Sequence, residues 1–189
     1  MKNLLHIAAG IDILPLLLEI KNNPQLWDEF PERTQGNPHS PHRDVHDIWV
    51  RYNSRDNLDP TCPEKFHAEH DSVWYSSADK LHSVKKLVYD LMAHVRGERL
   101  GGVLITRIPP GAQCYPHSDA GSWHSAYYDK YAIQLESDCQ QAFHFDEGSF
   151  SAKPGDVYWF NNQDTHWVTN SSSVDRITLI ICIRTNKGD

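Results

Sequence analysis

The fold is indicated first by residues 141–170, which read QAFHFDEGSFSAKPGDVYWFNNQDTHWVTN. Short runs rich in aromatic and β-branched residues alternate here with turn residues such as Lys153-Pro154-Gly155 and Asn161-Asn162. Similar runs lie on both sides, so about eight short strands are predicted in the second half of the chain. They are Val103–Ile108, a stretch after Pro116, Tyr131–Leu135, Gln141–Phe145, Ser149–Ala152, Asp156–Phe160, Thr165–Thr169 and Arg176–Arg184. This pattern predicts an all-β sandwich or barrel, and helices that precede the strands in the chain favour helices packed outside a jelly roll.

Helical patterns are confined to the first hundred residues. Residues 78–97 carry apolar side chains at the helical period, with Ser77 as the expected N-cap and Gly97 as the expected end. Residues 4–20 are apolar, and Pro15 suits the first turn of a short helix. Residues 21–45 hold four prolines and are predicted to be loop.

The helical stripe needs a sheet to cover it, so residues 1–189 are predicted to form a single domain. Residues 1–100 would be its helical and loop part, apart from a strand at Asp47–Tyr52, and residues 101–189 its jelly-roll core. The expected architecture is therefore a jelly roll with flanking helices.

Composition narrows the function classes. The 189 residues include 18 Lys and Arg against 25 Asp and Glu, a net charge of −7, which makes nucleic acid unlikely as the main partner. Four widely separated cysteines read as reduced thiols and predict a cytoplasmic location. The N-terminus resembles a signal peptide only weakly, and no apolar run is long enough to span a membrane.

A metal site is indicated by His117-Ser118-Asp119 together with His166 on a later predicted strand. Positions i and i+2 of a strand point to the same side, so His117 and Asp119 are expected to bind one metal ion together. Two neutral imidazoles and one carboxylate form the facial ligand set of non-haem Fe(II) oxygenases. Each residue alone is more typical of a solvated position, whereas the combination in an all-β half indicates a metal centre.

A buried cation is predicted at Arg176, which opens the last strand, with Thr178 on the same face. A planar guanidinium binds a carboxylate through two hydrogen bonds, and a buried one requires an anionic partner. The expected partner is the distal carboxylate of 2-oxoglutarate. Thr178 would add a hydroxyl donor.

Substrate-binding candidates are fewer. Arg51 and Tyr52 lie beside Trp49, and Arg107 lies on the first predicted core strand. Each arginine would hold a substrate carboxylate or, equally, form a structural salt bridge.

A family resemblance covers residues 101–184. Residues 107–119, RIPPGAQCYPHSD, resemble the strand, Pro-Gly turn and iron-binding start of the aspartyl/asparaginyl β-hydroxylases, a family of Fe(II)/2-oxoglutarate-dependent oxygenases. Residues 149–162, 165–170 and 175–179 resemble the second half of that family. The resemblance implies a double-stranded β-helix of the cupin-like jelly-roll type.

The same resemblance implies a set of site residues. Fe(II) would be held by His117, Asp119 and His166, and 2-oxoglutarate by Arg176. The family often has an Arg and a His on the strand that here reads KYAIQL, residues 130–135. Gln134 stands at the His position and is expected to donate a hydrogen bond to the cosubstrate.

The function implied is that of a dioxygenase that uses O₂ and 2-oxoglutarate to hydroxylate a C–H bond. The acceptor would be an Asp- or Asn-type side chain in a peptide or protein, or a related amino acid, with no catalytic side chain beyond the metal ligands. Two alternatives stay open: a cupin-like metalloenzyme that does not use 2-oxoglutarate, and a non-catalytic jelly-roll binding module.

Overall fold

The computed structural model describes residues 1–35, 37–59, 61–62, 66 and 68–186. Two antiparallel sheets pack face to face. The larger sheet has the strand order β1-β9-β6-β11-β4-β2-β3, and the smaller sheet has the order β5-β10-β7-β8. The strands are β1 (Leu4–Ala8), β2 (His46–Tyr52), β3 (Val73–Trp74), β4 (Gly97–Ile108), β5 (Gln113–His117), β6 (Asp129–Glu136), β7 (Gln141–Phe145), β8 (Gly148–Phe150), β9 (Val157–Phe160), β10 (His166–Asn170) and β11 (Arg176–Thr185).

In the described residues, three α-helices accompany the sheets: α1 (Leu14–Asn22), α2 (His82–His94) and α3 (Trp123–Tyr127). The predicted stripe of α2 is buried at Val84, Leu87, Val88 and Leu91. It joins the outer face of the larger sheet and α1 in one hydrophobic core. None of the helices in the described ranges is long and apolar enough to cross a membrane.

Side-chain alternation along the strands separates two cores. On β11, Leu179 and Ile181 belong to the core beneath the helices. Ile180, the residue between them, packs against a second core between the sheets, which includes Phe143 and Tyr158. The two sheets therefore enclose a second core, separate from the core beneath α1 and α2. The predicted jelly roll with flanking helices is confirmed.

Some local predictions were wrong. The short helix expected at Pro15 is α1, with Pro15 in its first turn, but the apolar run before it was not assigned: residues 4–8 form a strand, β1, which pairs with β9. A short apolar run fits a helix and a strand equally well, and only the sheet edge decides between them. Ser77 does not cap α2: its hydroxyl donates to the Trp49 carbonyl oxygen at 2.5 Å, and the helix begins later, at His82. Gly97 starts β4 and does not end the helix.

The chain after Pro116 also differs from the prediction. Strand β5 ends at His117, and the following segment turns into the short helix α3 where a strand was expected. Ser122 begins this helix by accepting a hydrogen bond from the Ser125 amide at 3.1 Å. Asp119 therefore lies just beyond a strand, and the argument that it shares a strand face with His117 does not hold.

Candidate metal and cosubstrate site

Two strands of the smaller sheet carry the candidate histidines. His117 on β5 lies opposite His166 on β10, and their ring centroids are 4.4 Å apart. Asp119 reaches the same point from the turn after β5, because its amide donates to the Asn162 carbonyl oxygen at 2.9 Å. One ligand atom from each of the three side chains lies within 4.8 Å of the others. The structure thus brings together the three residues predicted as metal ligands.

Both imidazoles are oriented by the backbone. His117 Nδ1 bonds the Tyr115 carbonyl oxygen at 2.7 Å, and His166 Nδ1 bonds the Asp164 carbonyl oxygen at 2.9 Å. A carbonyl oxygen only accepts, so each Nδ1 carries the hydrogen and each neutral ring keeps its lone pair on Nε2. This is the second hydrogen bond that metal-binding histidines usually make, and the donor set fits a divalent metal ion.

Burial keeps these histidines neutral. It lowers the pKa of His166 to about 4 and also lowers the pKa of His117. Both rings are therefore unprotonated at neutral pH and available as ligands.

Asp119 has one engaged and one open carboxylate oxygen. Its Oδ2 accepts from Lys130 Nζ at 2.5 Å and from Asn162 Nδ2 at 2.9 Å. Its Oδ1 lies 3.9 Å from His117 Nε2. Burial raises the pKa of the carboxyl, but the Lys130 charge and the two hydrogen bonds outweigh burial and hold that pKa well below its usual range.

Lys130 and Asn162 were not predicted as site residues. The sequence did offer a clue to Lys130, which begins the largely apolar run KYAIQL, residues 130–135. A lysine in a buried strand requires an anionic partner. Asn162 lies in a turn between β9 and β10 and gave no such signal.

The predicted cosubstrate anchor lies in the same interior. Arg176 is 5% exposed and donates to Thr178 Oγ1 at 2.8 Å and to the Tyr158 hydroxyl at 3.0 Å. In the described part of the chain, no carboxylate lies within salt-bridge distance of Arg176. A buried guanidinium with neutral partners alone is suited to bind an anion. A cavity of about 620 Å³ is lined by Arg176 and by the three candidate metal ligands.

Gln134 and Thr178 support Arg176 from behind. Thr178 Oγ1 donates to Gln134 Oε1 at 3.3 Å, and Gln134 Nε2 donates to the carbonyl oxygens of Glu136 and Ile177 at 2.8 and 2.9 Å. Neither side chain is among the described residues that line the cavity. The amide hydrogens of Gln134 are already used, so it orients Thr178 and, through it, Arg176, instead of donating directly to a cosubstrate.

The predicted substrate residues separate. Tyr52 lines the cavity. Arg51 points elsewhere: its Nη2 donates to the Leu100 carbonyl oxygen at 3.2 Å and its Cζ lies 5.5 Å from the Trp74 ring centroid. Arg107 lies over Trp27 at 4.6 Å, in a separate surface depression. The cavity does not include either arginine, because a strand directs neighbouring side chains to opposite faces of the sheet.

Comparison with known proteins identifies a family and a set of similar folds. The sequence model of the aspartyl/asparaginyl β-hydroxylase family matches residues 67–185, more than half of the chain. No curated protein sequence matches the chain.

Three solved structures have similar folds. An oxidoreductase of the 2OG-Fe(II) oxygenase family from Burkholderia pseudomallei is 15% identical, with 79% of this chain and 72% of that chain covered and a TM-score of 0.54. A viral collagen prolyl hydroxylase from Paramecium Bursaria Chlorella virus-1, in its 2OG complex, is 12% identical, with 97% of both chains covered and a TM-score of 0.54. A Pseudomonas putida prolyl-4-hydroxylase is 15% identical, with 97% and 93% covered and a TM-score of 0.53. At these identities the likeness is one of fold.

Proposed function

Because the chain belongs to the aspartyl/asparaginyl β-hydroxylase family and is a hydroxylase, we propose that it acts as an Fe(II)- and 2-oxoglutarate-dependent dioxygenase and hydroxylates a C–H bond. His117, Asp119 and His166 would hold Fe(II), and Arg176 would bind 2-oxoglutarate. The observation that carries the proposal is their convergence. Three metal-ligand side chains and one buried cation with neutral partners line a single cavity.

The side chains of this site divide the work. Bound together, Fe(II) and 2-oxoglutarate would supply the activation of O₂ that hydroxylation of an unactivated C–H bond requires, with succinate and CO₂ as coproducts. His117 and His166 would offer neutral Nε2 lone pairs, fixed by their backbone hydrogen bonds. Lys130 and Asn162 would keep Asp119 ionised and turn its free oxygen toward the metal position.

Arg176 would fix the cosubstrate and balance its charge. Its guanidinium is held by Thr178 and Tyr158, so its position is set before any anion arrives. Phe143, Phe160 and Ile180 also line the cavity, and these apolar walls would exclude water around the reacting groups.

The acceptor is proposed to be an Asp- or Asn-type side chain in a peptide or protein, or a related amino acid, as the family's name suggests. Nucleic acid is not proposed, since the net charge is −7. A cytoplasmic location is favoured by the thiols of Cys114, Cys139 and Cys182, none of which is in a disulfide.

Residues 1–189 are proposed to act as one domain. The support is strand pairing between the two halves: β1 pairs with β9, and β2 pairs with β4. The first hundred residues thus contribute strands as well as helices and loops to the larger sheet.

The test is a visible spectrum recorded without air. Metal-free protein is mixed with Fe(II) and 2-oxoglutarate, and we expect a weak metal-to-ligand charge-transfer band. Asp119→Ala and Arg176→Met should lose it, whereas Arg184→Met should retain it, because Arg184 lies on the same strand but binds the Tyr127 carbonyl oxygen. Bound iron without a band would contradict the use of 2-oxoglutarate, and an unchanged band in Asp119→Ala would contradict its role as a ligand.

A further inference from the structure

One wall of the cavity comes from outside the part of the chain that the family model matches. Residues 28–35 and 37–45, here called the arm, precede β2, and eight of them, Arg33, Pro41 and His42 among them, line the cavity together with the candidate metal ligands. The arm is tied to the smaller sheet. The Tyr115 amide donates to the Pro41 carbonyl oxygen at 2.8 Å, and the Tyr115 hydroxyl donates to Asp44 at 2.7 Å.

Arg33 is the unusual residue of the arm. Its Nε donates to Asp47 Oδ2 at 2.5 Å, and its side chain is 14% exposed. Asp47 does not line the cavity, so it holds the guanidinium from behind. Arg33 Nη2 is buried and has no hydrogen-bond partner. Asp47 Oδ1 is also buried without a partner, so Asp47 and Arg33 share one hydrogen bond only. A charged donor left unsatisfied in the interior is costly, and a ligand that accepts a hydrogen bond from Arg33 Nη2 would remove that cost.

The surroundings of Arg33 fit a carboxylate. Tyr52 lines the same cavity, and burial raises its pKa, so its hydroxyl keeps the proton that it would donate. Arg33, Tyr52 and the candidate ligand His117 all line this one cavity. An anion bound by Arg33 would therefore lie in the neighbourhood of the proposed metal centre.

The cosubstrate does not account for this second cation. Under the proposed function, 2-oxoglutarate has one carboxylate at Arg176 and its keto-acid end at the metal, which leaves the Nη2 group of Arg33 without a partner. We propose that Arg33, assisted by Tyr52, binds a carboxylate of the primary substrate and that the arm thereby determines which substrates are accepted. This inference rests on the proposed function. The carboxylate would come from a free amino acid or from an acidic side chain of a peptide.

The experiment measures equilibrium binding, not turnover. Protein loaded with Mn(II) and excess 2-oxoglutarate is titrated by calorimetry with free L-amino acids and with their carboxamides. A second series uses the blocked tripeptides acetyl-Ala-Asp-Ala-amide and acetyl-Ala-Asn-Ala-amide. We expect at least one carboxylate probe to bind about tenfold or more tightly than its amide, as a charge-assisted hydrogen bond would give. The series that shows this preference identifies the source of the carboxylate.

Two variants and one control separate binding from folding. Arg33→Gln should abolish the preference for carboxylate over amide. Tyr52→Phe leaves the Arg33–Asp47 ion pair intact and should reduce the preference without changing the melting temperature. Arg43→Gln is the matched control, since Arg43 is an exposed arginine of the same arm that stacks on the Tyr115 ring at 3.3 Å, and it should keep the full preference.

Three results would overturn the proposal. In the first, the Arg33→Gln variant keeps the preference for carboxylate over amide. In the second, the wild-type protein binds no carboxylate probe. In the third, Arg33→Gln lowers the affinity for 2-oxoglutarate more than the affinity for the carboxylate probe. The last result would make Arg33 a cosubstrate anchor. The titrations are repeated without metal and 2-oxoglutarate. Binding that depends on Arg33 there, in a protein that shows no charge-transfer band, would uphold the carboxylate site and reject the proposed function.

Discussion

Replacing Arg176 by methionine tests the cosubstrate anchor most directly. Methionine has a comparable length and refills the space of the arginine stem, but it removes the guanidinium and its hydrogen bonds to Thr178 and Tyr158. Burying an unpaired cation costs several kcal/mol, whereas two lost hydrogen bonds from a charged donor cost about 1.5–3 kcal/mol each. The two effects oppose each other, so the ligand-free variant should be about as stable as the wild type.

Cosubstrate binding should respond far more strongly. Removing one partner of a buried, hydrogen-bonded charge pair costs about 2–5 kcal/mol. At about 1.4 kcal/mol per factor of ten, the Kd for 2-oxoglutarate should rise roughly 30-fold to 4,000-fold. The variant therefore distinguishes a structural role of Arg176 from a role in binding the anionic cosubstrate.

The assay is calorimetric titration of 2-oxoglutarate into Mn(II)-loaded protein, followed by thermal unfolding with and without 2-oxoglutarate. Excess cosubstrate should raise the melting temperature of the wild type and of Arg184→Met, but not that of Arg176→Met. A Kd in Arg176→Met within about threefold of the wild-type value would refute the reasoning, since a charge-assisted hydrogen bond alone contributes more than that.

Other perturbations give graded results. Asn162→Ala should weaken Mn(II) binding about 10- to 100-fold and Asp119→Ala should weaken it more, as followed by electron paramagnetic resonance; equal losses would contradict the different roles of the two residues. The pKa of His166 is about 4 in the folded protein, below its ordinary value of 6.5, so the unfolded chain binds more protons between these values. The free energy of unfolding of metal-free protein should therefore fall as pH drops from 6.5 to 4, and urea melts that stay constant over this range would contradict the burial of a neutral His166. Leu179→Ala, at a fully buried position of β11, should cost about 2–5 kcal/mol in urea melts, whereas Leu18→Ala on the exposed side of α1 should change stability by less than about 0.5 kcal/mol.

The local sequence pattern was enough to predict elements with a clear strand alternation or a clear helical period. The alternating runs of the second half became β6, β7, β9, β10 and β11 at nearly the predicted positions, and the apolar stripe before them became α2. Pattern failed where a distant neighbour decided. Ser77 suits a helix start in sequence, yet its hydroxyl bonds the Trp49 carbonyl oxygen, so the helix begins five residues later, at His82.

The site residues likewise fall into those that the sequence predicted and those that only the structure could assign. His117, Asp119, His166 and Arg176 were selected by residue type and by position relative to predicted strands, because metal ligands and anion anchors need those chemical groups. Arg51 and Arg107 have suitable chemistry as well, but the side of the strand on which each lies removes them from the cavity.

The sequence by itself determined the kind of fold and the chemical groups available, because strand alternation, turn residues and side-chain chemistry are properties of short stretches. Only the tertiary structure decided which groups meet. The register of β10 on β5 sets His166 opposite His117, and packing of the two sheets brings Lys130 and Asn162 to Asp119. The arm, which precedes β2 in the chain, brings Arg33 to the cavity. Such contacts join residues far apart in the chain, and their geometry depends on strand register and sheet packing, which no local pattern encodes.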